Sequence, residues 1–337
     1  MSERYTITPP SLEVLFDALA RDGARVVAPR QTTHGVELGD VRTPRDVATG
    51  YVQAITSAKG VVFPKVERIL GYRTQGRDVA LEDPTPDARP TVLFGLRPCE
   101  ARAFAALEAL FNWGERDAFF NERRQRTAIV SVVCTEADEA CFCTSLGSGP
   151  ADPAGSDLQL HPLADGGYAA DVRSEKGRAL VALLGDRAAP LAPEAALAEP
   201  ARVEAAFAGN ALPAVLATRF DDPVWAEQSL RCLGCGVCAF VCPTCACFDL
   251  QDEADAGGGQ RLRCWDSCGL STFTLHASGH NPRERQSQRW RQRVYHKFAY
   301  YPDRLGMLGC VGCGKCSRAC PADMSLKEHL AQVARSS

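Results

Sequence analysis

Two cysteine runs with the same spacing lie far apart in the last third of the 337-residue chain. Both read C-x2-C-x2-C-x3-C-P; one is Cys232, Cys235, Cys238, Cys242 and Pro243, and the other is Cys310, Cys313, Cys316, Cys320 and Pro321. Thiolates at this spacing are typical ligands of paired [4Fe-4S] clusters. Because every ligand is a thiolate, no iron is left open for a substrate. The pattern therefore predicts a chain that transfers single electrons.

The assignment of thiols to clusters follows from the geometry of such runs. Three closely spaced cysteines wrap one cluster, and the fourth ligates the other cluster. The first predicted cluster takes Cys232, Cys235, Cys238 and Cys320, and the second takes Cys310, Cys313, Cys316 and Cys242. C-x2-C also serves structural zinc, but two complete four-cysteine runs that end in proline are not the zinc pattern.

Four earlier cysteines, Cys99, Cys134, Cys141 and Cys143, predict a third [4Fe-4S] cluster. Cys99 follows a predicted strand at 91–96, and Cys134 ends a predicted strand at 127–133. If these strands are parallel neighbours, their carboxyl ends meet at one edge of the sheet, where ligands collect. Cys141 and Cys143 then arrive on the next loop. The alternative is that these are buried core thiols and that the C-x-C pair is incidental.

The four remaining cysteines have two open interpretations. They are Cys245, Cys247, Cys264 and Cys268, and they read C-x-C and C-x3-C. One interpretation is a zinc site or a further cluster. The other, which we prefer, is that these small, soft side chains pack around the two predicted C-terminal clusters.

A basic segment at 283–297 carries interleaved aromatic residues. Its cations are Arg283, Arg285, Arg289, Arg291, Arg293 and Lys297, with Trp290 and Tyr295 between them. Alone, such a segment is typical of nucleic-acid binding. A solvated helix face, or arginines that stabilise an anionic cluster, fits better because the chain has a net charge of -3. We therefore expect no nucleic-acid partner.

The elements that position the N-terminal cysteines indicate an α/β domain over 1–185. Short apolar strands are predicted at 61–63, 91–96 and 127–133, with a helix at 101–111. Their apolar residues are continuous rather than alternating, which predicts a sheet covered on both faces. The Gly-rich stretch 145–150 lacks the spacing of a phosphate loop, so we expect no nucleotide or flavin site in this chain.

Beyond 185 the sequence predicts a linker and a second domain. Residues 186–222 are rich in Ala and Pro and include one predicted short helix at 201–207. The second domain, 223–337, contains the cysteine runs as an internal repeat. The long interval between the runs, and a predicted helix at 324–334, favour a mainly α-helical two-cluster ferredoxin-like domain.

Composition and the number of cysteines limit the classes of protein to which this chain can belong. The chain is 45% hydrophobic and 23% charged, ordinary values for a globular protein with a large core. Its amino terminus lacks the features of a signal peptide, and no apolar run reaches the roughly 18 residues that a membrane helix needs. Sixteen cysteines without an export signal indicate metal binding in reducing cytosol rather than disulfides. We expect a cytoplasmic protein without a membrane partner.

Several motifs in order resemble those of one known family. They are FGLRPCEAR at 94–102, DAFF at 117–120, the arginine pair at 123–124, CFCTSLGSGP at 141–150, CPTC at 242–245, WDSC at 265–268 and CVGCGKC at 310–316. They resemble the beta subunit of cytosolic NiFe sulfhydrogenases, which are also described as sulfur reductases. The anaerobic sulfite reductase A subunit is similar. The resemblance spans from about residue 60 to the end, and Cys264 departs from the family pattern.

The resemblance implies a non-catalytic electron-transfer subunit. Its expected partners are a flavin subunit that carries FAD and handles NAD(P)H, and the small and large subunits of a NiFe hydrogenase. A sulfite, sulfur or other reductase subunit is the alternative terminal partner. The chain lacks recognisable C-x2-C pairs of a NiFe large subunit, so we expect it not to activate hydrogen itself. A more remote alternative is an iron–sulfur redox sensor that binds nucleic acid through 283–297, although no helix-turn-helix is evident.

Overall fold

The computed structural model describes residues 3–164 and 166–335. Within these ranges the chain forms twelve strands. They are β1 (Arg4–Ile7), β2 (Arg25–Thr32), β3 (Gly35–Asp40), β4 (Val66–Gln75), β5 (Asp78–Glu82), β6 (Thr91–Leu96), β7 (Thr127–Val132), β8 (Leu158–Pro162), β9 (Tyr168–Val172), β10 (Ala189–Pro190), β11 (Phe248–Asp255) and β12 (Gly258–Trp265).

Twelve α-helices lie in the same described ranges. They are α1 (Pro9–Arg21), α2 (Lys59–Val62), α3 (Pro98–Phe111), α4 (Ala118–Gln125), α5 (Glu175–Ala182), α6 (Leu212–Leu216), α7 (Val224–Ser229), α8 (Val237–Phe240), α9 (Gln286–Tyr295), α10 (Tyr301–Leu305), α11 (Lys315–Arg318) and α12 (Leu326–Arg335). A π-helical turn, His296–Tyr300, joins α9 to α10.

The larger sheet has the strand order β10-β1-β9-β8-β7-β6-β2-β3. Its centre is parallel, because β2, β6, β7 and β8 pair in that sense. Along β6, Val92 and Phe94 pack into one core, while Leu93 and Leu96 pack into the core on the other face. The predicted α/β fold with a sheet covered on both faces is therefore confirmed for this part of the chain.

The ends of two strands place Cys99 and Cys134 at one edge of that sheet. Helix α3 starts directly after β6, with Pro98 in its first turn, where a missing N–H costs nothing. This places Cys99 just beyond the carboxyl end of β6. Cys134 follows the end of β7 by two residues, and β6 and β7 are parallel neighbours. The predicted juxtaposition of these two strand ends is confirmed.

A smaller antiparallel sheet joins the N-terminal and C-terminal parts of the chain. Its order is β11-β12-β4-β5. The hairpin of β11 and β12 lies between the two cysteine runs, so the second predicted domain mixes helices with strands and is not helical throughout. Glu67 on β4 forms buried ion pairs with Arg123 and with Arg263 of β12. The division into 1–185, 186–222 and 223–337 stays a prediction.

The C-terminal helices bury one apolar core beside the second cysteine run. Trp225 of α7, Trp290 of α9 and Leu330 of α12 belong to it, together with Phe298 of the π-helical turn. The predicted helix at 324–334 is confirmed as α12. A π turn inserts one extra residue into a helix and often occurs at functional positions. Here that turn contains Lys297, whose side chain is buried.

Two predicted elements are wrong. Instead of the strand predicted at 61–63, residues 61 and 62 belong to the short helix α2 and Phe63 follows its end. Val62 and Phe63 are fully buried, so the helical turn buries the same apolar side chains that a strand would. Short apolar runs do not distinguish helix from strand. Residues 201–207 form no helix. Instead, the Ala201 amide donates to the Cys134 carbonyl at 2.8 Å, and such tertiary contacts override helix propensity.

Among the described residues, no helix combines the length and apolar character needed to cross a membrane.

Candidate iron–sulfur centres

The first site is the set Cys232, Cys235, Cys238 and Cys320. These thiols line one cavity, which Cys316 also borders. Gly234 and Gly236 lie in the loop of the first run with φ of 66° and 76°, a left-handed conformation that glycine adopts without strain. The run thereby curls its thiols toward the cavity. The structure brings together the four cysteines predicted for the first cluster.

The second site is the set Cys242, Cys310, Cys313 and Cys316. Burial raises the pKa of Cys310 to about 11, Lys297 opposes this, and the charge of Cys242 adds to it. Burial also raises the pKa of Cys313, with contributions from Cys242 and Cys316. Cys242 and Cys316 thus act electrostatically on both Cys310 and Cys313, and Cys99 of the N-terminal site also acts on Cys313. Metal binding reverses such shifts, because a coordinating thiol is deprotonated.

The N-terminal site is the set Cys99, Cys134, Cys141 and Cys143, which also lines one cavity. The Cys134 amide donates to the Pro150 carbonyl at 3.0 Å, and the Ser148 amide donates to the Cys143 carbonyl at 3.2 Å. These bonds hold the loop 141–150 against the end of β7. All sixteen cysteines of the chain are free thiols, so none of the three sites is closed by a disulfide.

The second run packs directly on the N-terminal site. The Phe142 amide donates to the Gly312 carbonyl at 2.9 Å. A Cβ at Gly312 would lie 2.6 Å from the Phe142 carbonyl, so only glycine allows this approach. Cys99 and Cys313 share a small buried cluster with Ala103 and Val311. The N-terminal and second sites are therefore adjacent across this contact.

A buried ion pair secures the same contact. Lys315, within the second run, lies 3.5 Å from Glu100 at the start of α3, and both side chains are almost fully buried. The Lys315 ammonium also donates to the carbonyl oxygens of Ala54 and Thr56. A fully hydrogen-bonded buried lysine fixes the distance between the elements that it joins.

Each site receives a side-chain hydrogen bond at sulfur. The pairs are Gln286 Nε2 to Cys232 Sγ at 3.0 Å, Lys297 Nζ to Cys242 Sγ at 3.3 Å, Gln53 Nε2 to Cys99 Sγ at 3.0 Å and Arg318 Nη2 to Cys141 Sγ at 3.1 Å. Donors to ligand sulfur stabilise the reduced cluster and tune its potential. Sequence reasoning missed Gln53, Gln286 and Arg318, since nothing in their spacing distinguishes them from surface residues.

Three buried cations converge on the C-terminal thiols. Lys59 donates to the carbonyls of Ala239 and Cys245, both at 2.9 Å. Arg293 donates to the Cys238 carbonyl at 3.0 Å and lies 3.6 Å from Cys245 Sγ. With Lys297 at Cys242, these cations have no carboxylate within ion-pair distance among the described residues.

Their counter-charge must therefore come from sulfur. An isolated buried cation costs several kcal/mol. A thiolate-ligated [4Fe-4S] cluster is a net anion, so it supplies that charge. The residues present thus fit the predicted clusters. Burial of Arg289, Arg293 and Lys297 also shows that one face of the basic segment points inward.

The four remaining cysteines do not form one group. The neighbouring Cys245 lowers the pKa of the Cys242 thiol, and the neighbouring Cys268 lowers the pKa of the Cys247 thiol to about 6. Cys264 lies apart on β12, near Asp249 and Glu253. In the part of the chain that the structure describes, no group of three or more His, Cys, Asp or Glu residues has the geometry to hold a single metal ion.

Comparison with known proteins defines the class. Residues 231–324, which hold both cysteine runs, match the model of the family described as a 4Fe-4S dicluster domain. The chain is therefore an iron–sulfur protein of electron transport.

A curated relative is sulfhydrogenase 2 subunit beta of Pyrococcus furiosus. It is 35% identical over 250 residues, which are 72% of this chain and 73% of the relative. The chain belongs to the sulfhydrogenase beta-subunit family, as its motifs predicted. No solved structure matches it significantly.

Proposed function

We propose that this chain is an electron relay with three [4Fe-4S] clusters, one in each of the sites described above. The observation that carries the proposal is that Cys99 of the N-terminal site and Cys313 of the second site belong to one small buried cluster and line the same cavity. Cys316 belongs to the second site and also borders the cavity of the first site. The three sites thus form a series in which the second site lies in the middle.

The first site is the end of the series that faces solvent. Cys235 is the exposed cysteine of this chain, whereas Cys99 and Cys313 are buried. Leu233, in the same loop, is 71% exposed, and Leu230 is 84% exposed. Exposed leucines beside a redox centre are typical of a protein–protein contact surface. We place the docking surface for one redox partner here.

The relay connects a flavin subunit to a catalytic unit. The flavin subunit would carry FAD and handle NAD(P)H, and the catalytic unit would be the small and large subunits of a soluble NiFe hydrogenase in the cytoplasm. This choice of partners rests on family membership and on the name of the relative. A sulfite, sulfur or other reductase subunit is the alternative terminal partner.

The partners are tested by anaerobic purification from the native host with identification of every co-eluting subunit. We expect a flavoprotein and a NiFe hydrogenase, while co-elution of a sulfite or sulfur reductase subunit favours the alternative. The isolated chain should show reducible clusters and no hydrogen uptake. Robust hydrogenase activity of the isolated chain would contradict the relay assignment.

The number of clusters is tested on the purified chain. Three clusters require about twelve iron atoms per chain. Cys134→Ser should remove about four of them, because it breaks the N-terminal site alone. Cys264→Ser is the matched control, since that thiol lies outside all three sites. A wild-type count of about eight would leave only the two C-terminal clusters.

A further inference from the structure

A separate cavity lies at the carboxyl edge of the parallel strands. Its volume is about 180 Å³, and its lining contains none of the cysteines, all of which lie in the described ranges. Its walls include Gly95 near the end of β6, Val132 at the end of β7 and Pro162 at the end of β8. In open α/β sheets, ligands bind in the crevice outside the carboxyl ends of the strands. The cavity is therefore where this type of fold accommodates a small molecule.

A bulge in β6 shapes the wall of this cavity. The pairing of β6 with β7 shifts register between Phe94 and Leu96, and Gly95 has a φ of 77°, a left-handed conformation that favours glycine. The Tyr51 hydroxyl donates to the Gly95 carbonyl at 3.0 Å. That bond holds the loop of Tyr51 over the strand ends. Bulges are common next to active sites, where they redirect a strand.

Arg97 supplies a positive charge to the cavity. Its guanidinium stacks on the Tyr51 ring, with Cζ 4.3 Å from the ring centroid. Nε donates to the Val52 carbonyl at 3.1 Å, and Nη2 donates to the Tyr51 carbonyl. Both acceptors are uncharged, and within the described part of the chain no carboxylate lies at ion-pair distance from Arg97. The guanidinium is thus fixed in position, while Nη1 is left for an anion.

A carboxylate and a phenol also line the cavity. Glu136, on the loop after β7, repels a doubly charged anion such as phosphate more strongly than a singly charged one. Burial raises the pKa of Tyr168, so its hydroxyl keeps its proton and can donate a hydrogen bond. The polar part of the lining therefore selects an anion with a single charge that accepts hydrogen bonds.

The other side chains limit the size and the body of that anion. Phe94, Val132, Val133 and Pro162 give the cavity an apolar wall. An apolar cavity of about 150 Å³ holds benzene, so this volume has room for a single ring or a short hydrocarbon chain beside a charged group. A nucleotide or a flavin needs a larger cavity.

We propose that this cavity is a binding site for a small organic monocarboxylate. The carboxylate pairs with the Arg97 guanidinium, whose planar group suits carboxylate oxygens, and accepts a hydrogen bond from Tyr168. The hydrocarbon part packs against Phe94 and Val132. The inference goes beyond the relay, because the lining includes none of the thiols. Ligand binding and iron content are measured separately, and either can fail alone.

The test is isothermal titration calorimetry of the full-length, iron-loaded chain under anaerobic conditions, with benzoate as the probe. We expect one saturable site per chain. Benzamide, a neutral molecule of the same shape, should bind about tenfold more weakly or less, and inorganic phosphate should not displace benzoate. The proposal is overturned if benzoate does not saturate, if benzamide binds equally well, or if phosphate displaces benzoate.

Two glutamates on the loop after β7 supply a matched pair of variants. Both side chains are exposed, but Glu136 lines the cavity and Glu139 lies outside it. Glu136→Gln removes a repulsive charge and should tighten benzoate binding about threefold or more, whereas Glu139→Gln should bind like the wild type. Equal affinities in this pair would overturn the placement of the carboxylate in this cavity.

Arg97→Met removes the proposed partner of the carboxylate and should abolish saturable benzoate binding. Iron per chain and circular dichroism are measured on the same sample, because Arg97 also ties down the loop of Tyr51. A folded Arg97→Met chain that binds benzoate like the wild type would contradict the assignment. If this variant does not fold, the pair of glutamate variants still decides the question.

Discussion

At the residue scale, the charged and polar neighbours of sulfur distinguish the three sites from one another. The first site receives an amide donor from Gln286, the N-terminal site receives the amide of Gln53 and the guanidinium of Arg318, and the second site receives the ammonium of Lys297. A full positive charge stabilises an added electron more than an amide dipole does. The second site should therefore have its potential set mainly by Lys297 and the neighbouring Arg293.

Replacing Lys297 with Met should lower the reduction potential of one C-terminal cluster by on the order of 100 mV. One unit charge at roughly 8 Å contributes about 2 kcal/mol at an effective dielectric constant near 20. An EPR-monitored redox titration measures the change. Lys65→Met, which removes an exposed lysine, is the control and should leave all potentials in place. Equal potentials in both variants would show that Lys297 does not act on a cluster.

His296 should make the free energy of unfolding depend on pH, and its surroundings determine the sign of that dependence. Burial lowers its pKa to about 4, and Lys297, Arg304 and Arg283 add to this. The unfolded chain binds the proton below about 6.5 and the folded chain only below about 4, so acidification favours unfolding in that window. Between pH 7 and 5 we expect a loss of about 2 kcal/mol from this residue.

His296→Gln tests that expectation by removing the titrating group. Denaturant unfolding of the iron-loaded chain at pH 7 and pH 5 should show a smaller difference in the free energy of unfolding for the variant than for the wild type. An identical difference in both proteins would assign the acid sensitivity to other groups, including the clusters themselves.

At the element scale, the hairpin of β11 and β12 holds the two halves of the molecule together. Glu67 is the acceptor for both Arg123 and Arg263, and all three side chains are almost fully buried. Removal of one member of a buried ion pair leaves an uncompensated charge, which costs about 3–5 kcal/mol. Glu82, by contrast, pairs with Arg68 and Arg73 in an exposed part of the same sheet.

Glu67→Gln should lower the free energy of unfolding by about 3–5 kcal/mol, whereas Glu82→Gln should lower it by at most about 1 kcal/mol. Chemical denaturation under anaerobic conditions measures both. Similar small losses in the two variants would mean that Asp117, which also binds Arg263, suffices as the partner of that guanidinium.

The sequence predicted best those elements whose pattern is long and local. Strands β6 and β7 follow from continuous apolar runs of six or seven residues, and helices α3 and α12 follow from helical patterns of about eleven residues. The short run at 61–63 carries too few residues to distinguish a strand from a helical turn. The segment 201–207 has helical composition, yet its amide bonds to the Cys134 carbonyl, a contact that only the tertiary structure shows.

The residues of the three sites also fall into those that the sequence predicted and those that it did not. Cysteine spacing predicted three sets of thiols, and the structure brings the members of each set together. The buried cation Lys59 and the donors Gln53 and Gln286 could not be predicted, because each comes from a segment remote from the cysteine that it contacts.

At the scale of the whole molecule, the three sites form a series with the second site in the middle. An electron that a partner delivers to the N-terminal site therefore passes through the N-terminal cluster on its way to the second site. Cys134 is partly exposed beside the loop 141–150, and it lines the same cavity as Cys99 and Cys313 of the second site. If electrons pass along this series, losing the N-terminal cluster interrupts transfer while the other two clusters remain intact.

Cys134→Ser tests this order in the complex that co-purifies with the chain. Reduction of the C-terminal clusters by NAD(P)H should slow about tenfold or more, equivalent to at least ~1.4 kcal/mol of barrier. Dithionite should still reduce both clusters fully, and Cys264→Ser should show wild-type rates with either reductant. If NAD(P)H reduces the remaining clusters of Cys134→Ser at the wild-type rate, electrons must reach the second site without the N-terminal one. The exposed loop of Cys235 and Leu233 would then be where the flavin subunit docks.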